Sequence, residues 1–392
     1  MRSKRSRSNR SSALKLNTEP TPLSSKDAAF EQVLIDNGIY PPEYDDGEPD
    51  NLEEILEKLR QPRSSLSISN FSRDDFLHFK RKNGEATTEA KLMSEVFPMI
   101  AGKTSIPSGY NQVFNNLKPL AKHISKPQPD YFNGSRPAKI RPKVRDDLEQ
   151  YIIPSSQQDR PALPNFFMEA KSRDGKASIA TRQITQDLAV GARGMLKMQS
   201  YGSDEPVFDN KAHTFASSYH SGTGTLQLFA MHPTKPGATG GRPEYHTTQI
   251  DTYGLTGNAN AFRQGIGAWR NLRDFAEERR VEFIASANET ADNDDEPEVA
   301  SVDTYLTSII SKSQSTQNEL VTADSEHEES DSTSADELAI PVLTKKSKTA
   351  RQLGKKRHKS KISDVLVDED DDDELSTNVP IHNNQVSTDL NQ

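Results

Sequence analysis

LPNFFMEAKS, residues 163–172, is the stretch on which the fold turns. Its centre is apolar and too short for an ordinary helix, and a run of this kind between turn residues reads as a buried strand. It ends on Glu169 and Lys171. Side chains two apart on a strand point to the same face, so the acid and the ammonium emerge side by side. Packing around Phe166, Phe167 and Met168 does not call for such a pair. The bland reading is a salt bridge at a strand end.

Downstream, Gly175 makes a turn, and a helix is expected from about Ala177 to Met198. Ile179, Ala180, Ile184, Leu188, Ala192 and Leu196 fall near one of its faces, and Gln183 and Asp187 form an i,i+4 pair on its polar flank, for which solvation or helix support is the bland reading. Three strands are expected at 212–220, 225–233 and 244–253, the first two joined by the hairpin-type turn SGTG. An amphipathic helix follows over about 259–285, striped by Phe262, Ile266, Trp269, Leu272 and Ala276. Upstream lie two expected helices, 74–83 and 86–102, then a mixed stretch with a strand or short helix expected at 111–120. KPQPDYFNG, 126–134, is a short segment flanked by turn residues and carrying Asp130. Residues 135–163 read as an insertion: a basic loop, a charged helix at 144–153 and a polar loop. The order predicts an α/β or α+β domain with a mixed sheet flanked by helices.

The rest of the chain looks different. Only 32% of the 392 residues are hydrophobic and 23 are proline, and the mean hydropathy is −0.81. A chain this polar does not bury enough apolar surface along its whole length to offset backbone ordering. The expected division is a disordered basic arm at 1–26, a short helical docking segment and linker at 27–69, one domain at 70–285, and a disordered acidic and basic tail at 286–392. No apolar run is long enough for a membrane span. The Arg- and Ser-rich start lacks the apolar region of a secretory signal; a mitochondrial presequence would share its composition, and a basic arm is the preferred reading. With no cysteine, disulfides, Cys-zinc sites and thiol nucleophiles are excluded. The net charge of −9 hides segregated signs. Residues 135–145, SRPAKIRPKVR, and 345–361, KKSKTARQLGKKRHKSK, are basic, whereas 368–374, DEDDDDE, is acidic.

Metal-assisted phosphodiester cleavage needs carboxylate oxygens for a hard cation, and a positive group to meet charge developing on phosphate. The pattern acid-x-Lys recurs along the chain, and three copies are compared: Glu89-Ala90-Lys91, Glu169-Ala170-Lys171 and Asp209-Asn210-Lys211. The first lies on an expected helix, where i and i+2 do not face each other. The third lies in a polar loop. Only the second ends an apolar strand.

Pro129-Asp130 together with Glu169-Ala170-Lys171 resembles the PD-(D/E)XK nuclease superfamily. The segments QPDYFNGSRP, LPNFFMEAKS, DLAVGARGM, SSYHSGTGTLQLFAMHP and AFRQGIGAWRNLRDFAEERR are similar to a group of uncharacterised fungal proteins with that domain, over roughly 70–285. The resemblance implies a restriction-endonuclease-like fold and Mg²⁺- or Mn²⁺-dependent cleavage of nucleic acid. It implies Asp130 and Glu169 as metal ligands, Lys171 as the partner of water or phosphate, Glu89 (alternatively Glu95) as the acid on the first core helix, and Gln183 as a supporting group. The 39 positions between Asp130 and Glu169 depart from the usual closer spacing.

Other readings stand beside this one. The same fold can serve as an inactive scaffold, or as a module that binds nucleic acid or protein without turnover, with protein partners engaged through the tails. Arg136, Lys139, Arg141, Lys143 and Arg145 are candidate phosphate contacts or a solvated insertion. Lys345, Lys346, Lys348, Lys355, Lys356 and Arg357 fit a bipartite nuclear-localisation signal, which makes the nucleus the expected location, with the cytoplasm as alternative. His220, His232 and His246 lie on separate expected strands; polar strand edges are preferred to a His₃ metal site.

Overall fold

The computed structural model describes residues 21–295, apart from positions 45, 46, 158 and 239. The elements run α1 (Ala29–Ile35), β1 (Ile39–Tyr40), α2 (Leu52–Leu59), α3 (Arg73–Glu85), α4 (Glu89–Lys91), a π-helical turn (Leu92–Val96), α5 (Phe97–Ala101), β2 (Ser108–Tyr110), β3 (Tyr131–Ser135), α6 (Pro142–Asp147), α7 (Glu149–Ile152), β4 (Ala162–Lys171), α8 (Ala177–Gln199), β5 (Thr214–His220), β6 (Thr225–Thr234), β7 (Glu244–Gly254) and α9 (Ala259–Asp295). The strands form one mixed seven-stranded sheet in the order β1-β7-β6-β5-β4-β3-β2, flanked by helices. This is the expected α+β architecture.

All ten residues of β4 are buried, because the strand is central and covered on both faces. It pairs antiparallel with β3 and parallel with β5, the parallel connection running through α8. Phe166, Met168 and Ala170 point to one face, into a cluster with Phe262, Ile266, Trp269 and Leu272 of α9. Phe167 points to the other, against Ile184, Leu188 and Ala189 of α8. Glu169 and Lys171 share the α8 face with Phe167, two and four residues on. Gly191 sets how closely α8 approaches: a Cβ there would stand 2.7 Å from the Phe167 ring and 2.9 Å from the Pro164 carbonyl oxygen.

Several expectations need correction. Residues 27–69 are not a docking arm. Phe30, Leu34 and Ile39 are buried in the α8-side cluster, Ile55 and Leu59 in the α9-side cluster, and β1 pairs with β7. Residues 21–26, assigned to the arm, also join the fold: Leu23 N–H donates to the His123 carbonyl at 2.7 Å and its own carbonyl accepts from Ser125 N–H at 2.7 Å. The domain does not stop at 285, since α9 continues with Ala287 and Ala291 buried against the insertion. The helix expected over 86–102 is interrupted by the π-helical turn. The 111–120 stretch holds no regular element; the strand lies just before it, as β2. Residues 1–20 and 296–392, including the nuclear-localisation candidates and the acidic run, lie outside the described residues.

α3 begins with a reciprocal cap: Ser72 Oγ accepts from Asp75 N–H, and the Asp75 carboxylate accepts from Ser72 N–H at 2.8 Å. Its Asn83 then pins the helix to the sheet, accepting from Tyr219 Oη at 2.7 Å and donating to the Ser221 carbonyl at 2.8 Å. This places the following turn, with Glu89, beside the end of β4.

Candidate functional site

β3 and β4 are antiparallel with Tyr131 opposite Met168, so the residue before β3, Asp130, comes beside Glu169. The 39-position gap is therefore the length of an excursion from the far end of the strand pair. The Asp130 N–H donates to Glu169 Oε1 at 3.4 Å, and the Ala170 N–H donates to Asp130 Oδ2 at 2.8 Å. Lys171 Nζ lies 3.1 Å from Glu169 Oε2, 3.8 Å from Glu89 Oε1 and 4.0 Å from Asp130 Oδ2. It also donates to the Ala170 carbonyl at 3.1 Å. Four of the residues singled out from the sequence thus meet around one ammonium.

A fifth group joins them, and it is not on a polar flank. Asp187 of α8 is 1% exposed, and its carboxyl interacts directly with that of Glu169. Its Oδ2 has no hydrogen-bond partner. Gln183 lies one helical turn earlier on the same face of α8, and its Oε1 is also buried without a partner. The signal in the sequence is the acid itself, set between core residues Ile184 and Leu188 on a helix that packs behind the E-x-K strand.

The electrostatics follow from burial. Glu169 is 1% exposed, and desolvation, with Asp130 beside it, pushes its carboxyl up to about 8 against the pull of Lys171. Desolvation and Glu169 likewise raise Asp187 well above the ordinary carboxylate range. Asp130 is raised by desolvation, with Lys171 opposing. Burial disfavours the Lys171 ammonium, but Glu169, Asp130 and Glu89 outweigh it and its pKa is raised. Three desolvated carboxyl groups, with the half-exposed Glu89 at the rim, are set against one ammonium, an arrangement that needs added protons or an added cation.

The donors fit a hard divalent cation in kind and in charge, being carboxylate oxygens with one side-chain amide oxygen, and two of them, Asp187 Oδ2 and Gln183 Oε1, lack a hydrogen-bond partner. As they stand, no group of three or more His, Cys, Asp or Glu among the described residues is arranged to hold a metal ion; Lys171 Nζ lies among the carboxylates instead.

Glu95, the alternative helix acid, is committed elsewhere: it pairs with Lys82 at 3.0 Å. Asp209 of the third acid-x-Lys copy is held in its loop by His213 and Gln199, each at 2.8 Å. The candidate phosphate contacts Arg136, Lys139, Arg141, Lys143 and Arg145 are not at the site. They follow Ser135, at the other end of β3 from Asp130, a separation of roughly 17 Å at strand rise. There Arg141 pairs with Asp292 at 2.6 Å, and Asn288 bonds the Arg141 N–H and the Lys139 carbonyl at 2.8 and 2.9 Å. Val144, Leu148 and Ile152 pack on Phe283, Ile284 and Ala287, so the insertion clamps the end of α9.

The three histidines do not assemble either. His232 and His246 are register partners with stacked rings 5.4 Å apart. His220 lies at the other end of β6, opposite Thr225, and bonds the Gly175 carbonyl through Nε2 at 3.0 Å.

No helix among the described residues is long and apolar enough to cross a membrane. No curated protein and no solved structure matches the chain. Residues 95–287 match the family described as a domain of unknown function, DUF7924, a span that holds Asp130, Glu169, Lys171, Gln183 and Asp187 and leaves out Glu89.

Proposed function

We propose that this protein is a metal-dependent nuclease that hydrolyses phosphodiester bonds in nucleic acid. The observation that carries the reading is the meeting of Asp130, Glu169 and Lys171 at the adjoining ends of β3 and β4. It is supported by Asp187 behind Glu169 and by Glu89 on the helical side. The mixed sheet flanked by helices is compatible with the restriction-endonuclease-like fold implied by the resemblance.

Asp130 and Glu169 would hold Mg²⁺ or Mn²⁺, with Asp187 adding charge from α8. Such an ion supplies Lewis-acid stabilisation and a more acidic water. The chain's own contribution is positional. Ala170 N–H fixes the Asp130 carboxylate, and burial between α8 and the sheet keeps water from screening the charges. Lys171 Nζ, held by Glu169 and the Ala170 carbonyl, is a cation poised for a phosphate oxygen. We also assign the basic clusters at 345–361 to nuclear import, which would bring the domain to nucleic acid.

The test is incubation of the full chain with labelled DNA and RNA in Mg²⁺ or Mn²⁺, beside Glu169→Ala, Lys171→Ala and Asp187→Asn. Metal-dependent cleavage, reduced roughly 10²–10³-fold by each substitution, is expected. Absence of cleavage by the parent chain, or activity that survives both Glu169→Ala and Lys171→Ala, overturns the catalytic reading in favour of an inactive scaffold.

A further inference from the structure

A second feature lies on the opposite face of the sheet. The 60–68 segment and the first turns of α9 enclose a groove of about 860 Å³, lined by Arg60, Arg63 and Arg263 and by no acidic residue. Arg263 Nη1 is buried and has no hydrogen-bond partner. A guanidinium nitrogen removed from water with no acceptor is costly, and the cost vanishes when an acceptor enters beside it.

The charge on the groove's own lining is positive, although Asp251 stands behind Tyr253, accepting from its Oη at 2.6 Å. Arg63 pairs with Asp274 at 2.8 Å, but Asp274 is shared with Arg273 at 3.0 Å. Burial and the neighbouring Arg273 and Arg63 together depress the Arg270 guanidinium to about 10. The pair that Arg60 makes with Glu53 is long, 3.7 Å, and both side chains are mostly exposed, at 68% and 77%; such a pair contributes little. One guanidinium is thus free of an effective counter-charge, and another, on a residue that lines the groove, carries a donor with no acceptor.

The walls suit a ligand with a polar head and a body. Asn260 and Gln264 offer amide groups, and Tyr253 and Leu66 line an apolar side. The volume falls within the usual range for small-ligand sites, about 300–1,000 Å³. Planar guanidinium forks match phosphate oxygens, and two such forks here reach one space.

We propose that this groove binds a nucleoside phosphate, free or as part of a strand, with the phosphate received by Arg263 and Arg60. The groove does not depend on the carboxylate site. Register places it at the same sheet end: Lys171 is opposite His220, His220 takes the Gly224 N–H, and Gly224 takes the Leu255 N–H just before α9. Three strand spacings, roughly 14 Å, separate β7 from β4.

The test titrates the full chain, in EDTA, with AMP, with adenosine, and with a fluorescein-labelled, 5′-phosphorylated oligothymidylate. Saturable binding of AMP or of the oligonucleotide is expected, with none of adenosine. Arg263→Gln should weaken binding at least about tenfold, the scale of one lost charged hydrogen bond. AMP binding identifies a free nucleotide as a sufficient ligand; oligonucleotide binding alone identifies a strand. If Arg263→Gln does not fold, Arg60→Gln replaces it, since that side chain is 68% exposed. Absence of saturable binding to either probe, or binding that the arginine substitution leaves intact, overturns the proposal. Loss of nuclease activity in Glu169→Ala tests the other site and leaves this one untouched.

Discussion

The N–H of Ala170 donates to Oδ2 of Asp130 at 2.8 Å. The middle residue of the E-x-K tripeptide therefore aims the carboxylate of the neighbouring strand end, while its two flanking side chains supply the acid and the ammonium. The backbone of β4 organises the site as much as its side chains do. A local shift of β3 against β4 would disperse Asp130, Glu169 and Lys171 together.

That coupling predicts an asymmetry between two charge deletions. Glu169→Gln removes a desolvated carboxyl from a pocket with surplus negative charge. Its stability should stay within about 1 kcal/mol of the parent, or rise, because burial of the charge was costly. Lys171→Met removes the ammonium that contacts Glu169, Glu89 and Asp130, and should cost about 3–5 kcal/mol. Urea denaturation of the full chain and both variants measures the difference; equal losses would mean the carboxylates are not the strained partners.

Stability should also depend on pH in a direction set by the raised carboxyls. Glu169 is lifted from its ordinary 4.5 to about 8 and Asp187 is lifted as well. Between these values the folded state binds more protons than the unfolded state, so stability falls as pH rises. The contribution is complete below about pH 4.5 and is lost through pH 8. In EDTA, the unfolding midpoint should drop across this range and flatten in Glu169→Gln. Added Mg²⁺ should restore the high-pH stability of the parent chain if the carboxylates take up the cation.

Much of the architecture was legible because periodicity and turns mark it locally. The apolar run before Glu169, the SGTG hairpin and the Phe262–Ile266–Trp269 stripe each announce their element within a dozen residues. The burial of Asp187 was not legible: the i,i+4 spacing to Gln183 suggested a polar flank, whereas its place beside Glu169 is fixed by how α8 lies on the sheet, and Gly191 sets that approach through Phe167. Charge alone misplaced the basic segment: Arg141 and Lys143 looked available for phosphate, yet a strand's length separates the segment from Asp130. The 27–69 stretch was misread as a docking segment because β1 has only two residues, and its partner β7 lies about two hundred positions away.

The chain's single tryptophan gives a direct readout of the core. Trp269 is fully buried and its Nε1–H donates to Ser217 Oγ at 2.8 Å. Ser217→Ala leaves that donor without an acceptor, at a cost of about 1–3 kcal/mol. Tryptophan emission, blue-shifted in the folded chain, should report an earlier unfolding midpoint at unchanged denaturant slope. An unchanged midpoint would show that the indole finds another acceptor.

The limits of the folding unit supply the last prediction. Phe30, Leu34, Ile39, Ile55 and Leu59 are between 0% and 4% exposed, and all precede position 70. Each such side chain contributes about 1.5–3 kcal/mol on burial, so the five together reach roughly 8–15 kcal/mol as an upper estimate. Whole domains are stable by only about 5–15 kcal/mol. A fragment spanning 70–285 should therefore fail to unfold cooperatively, having lost core on both faces of the sheet and the end of α9 that carries Ala287 and Ala291. A fragment spanning 21–295 should unfold in one sharp thermal transition close to that of the full chain. Calorimetry of the two fragments decides the matter; a cooperative transition in 70–285 would return the N-terminal helices to the status of an appended arm.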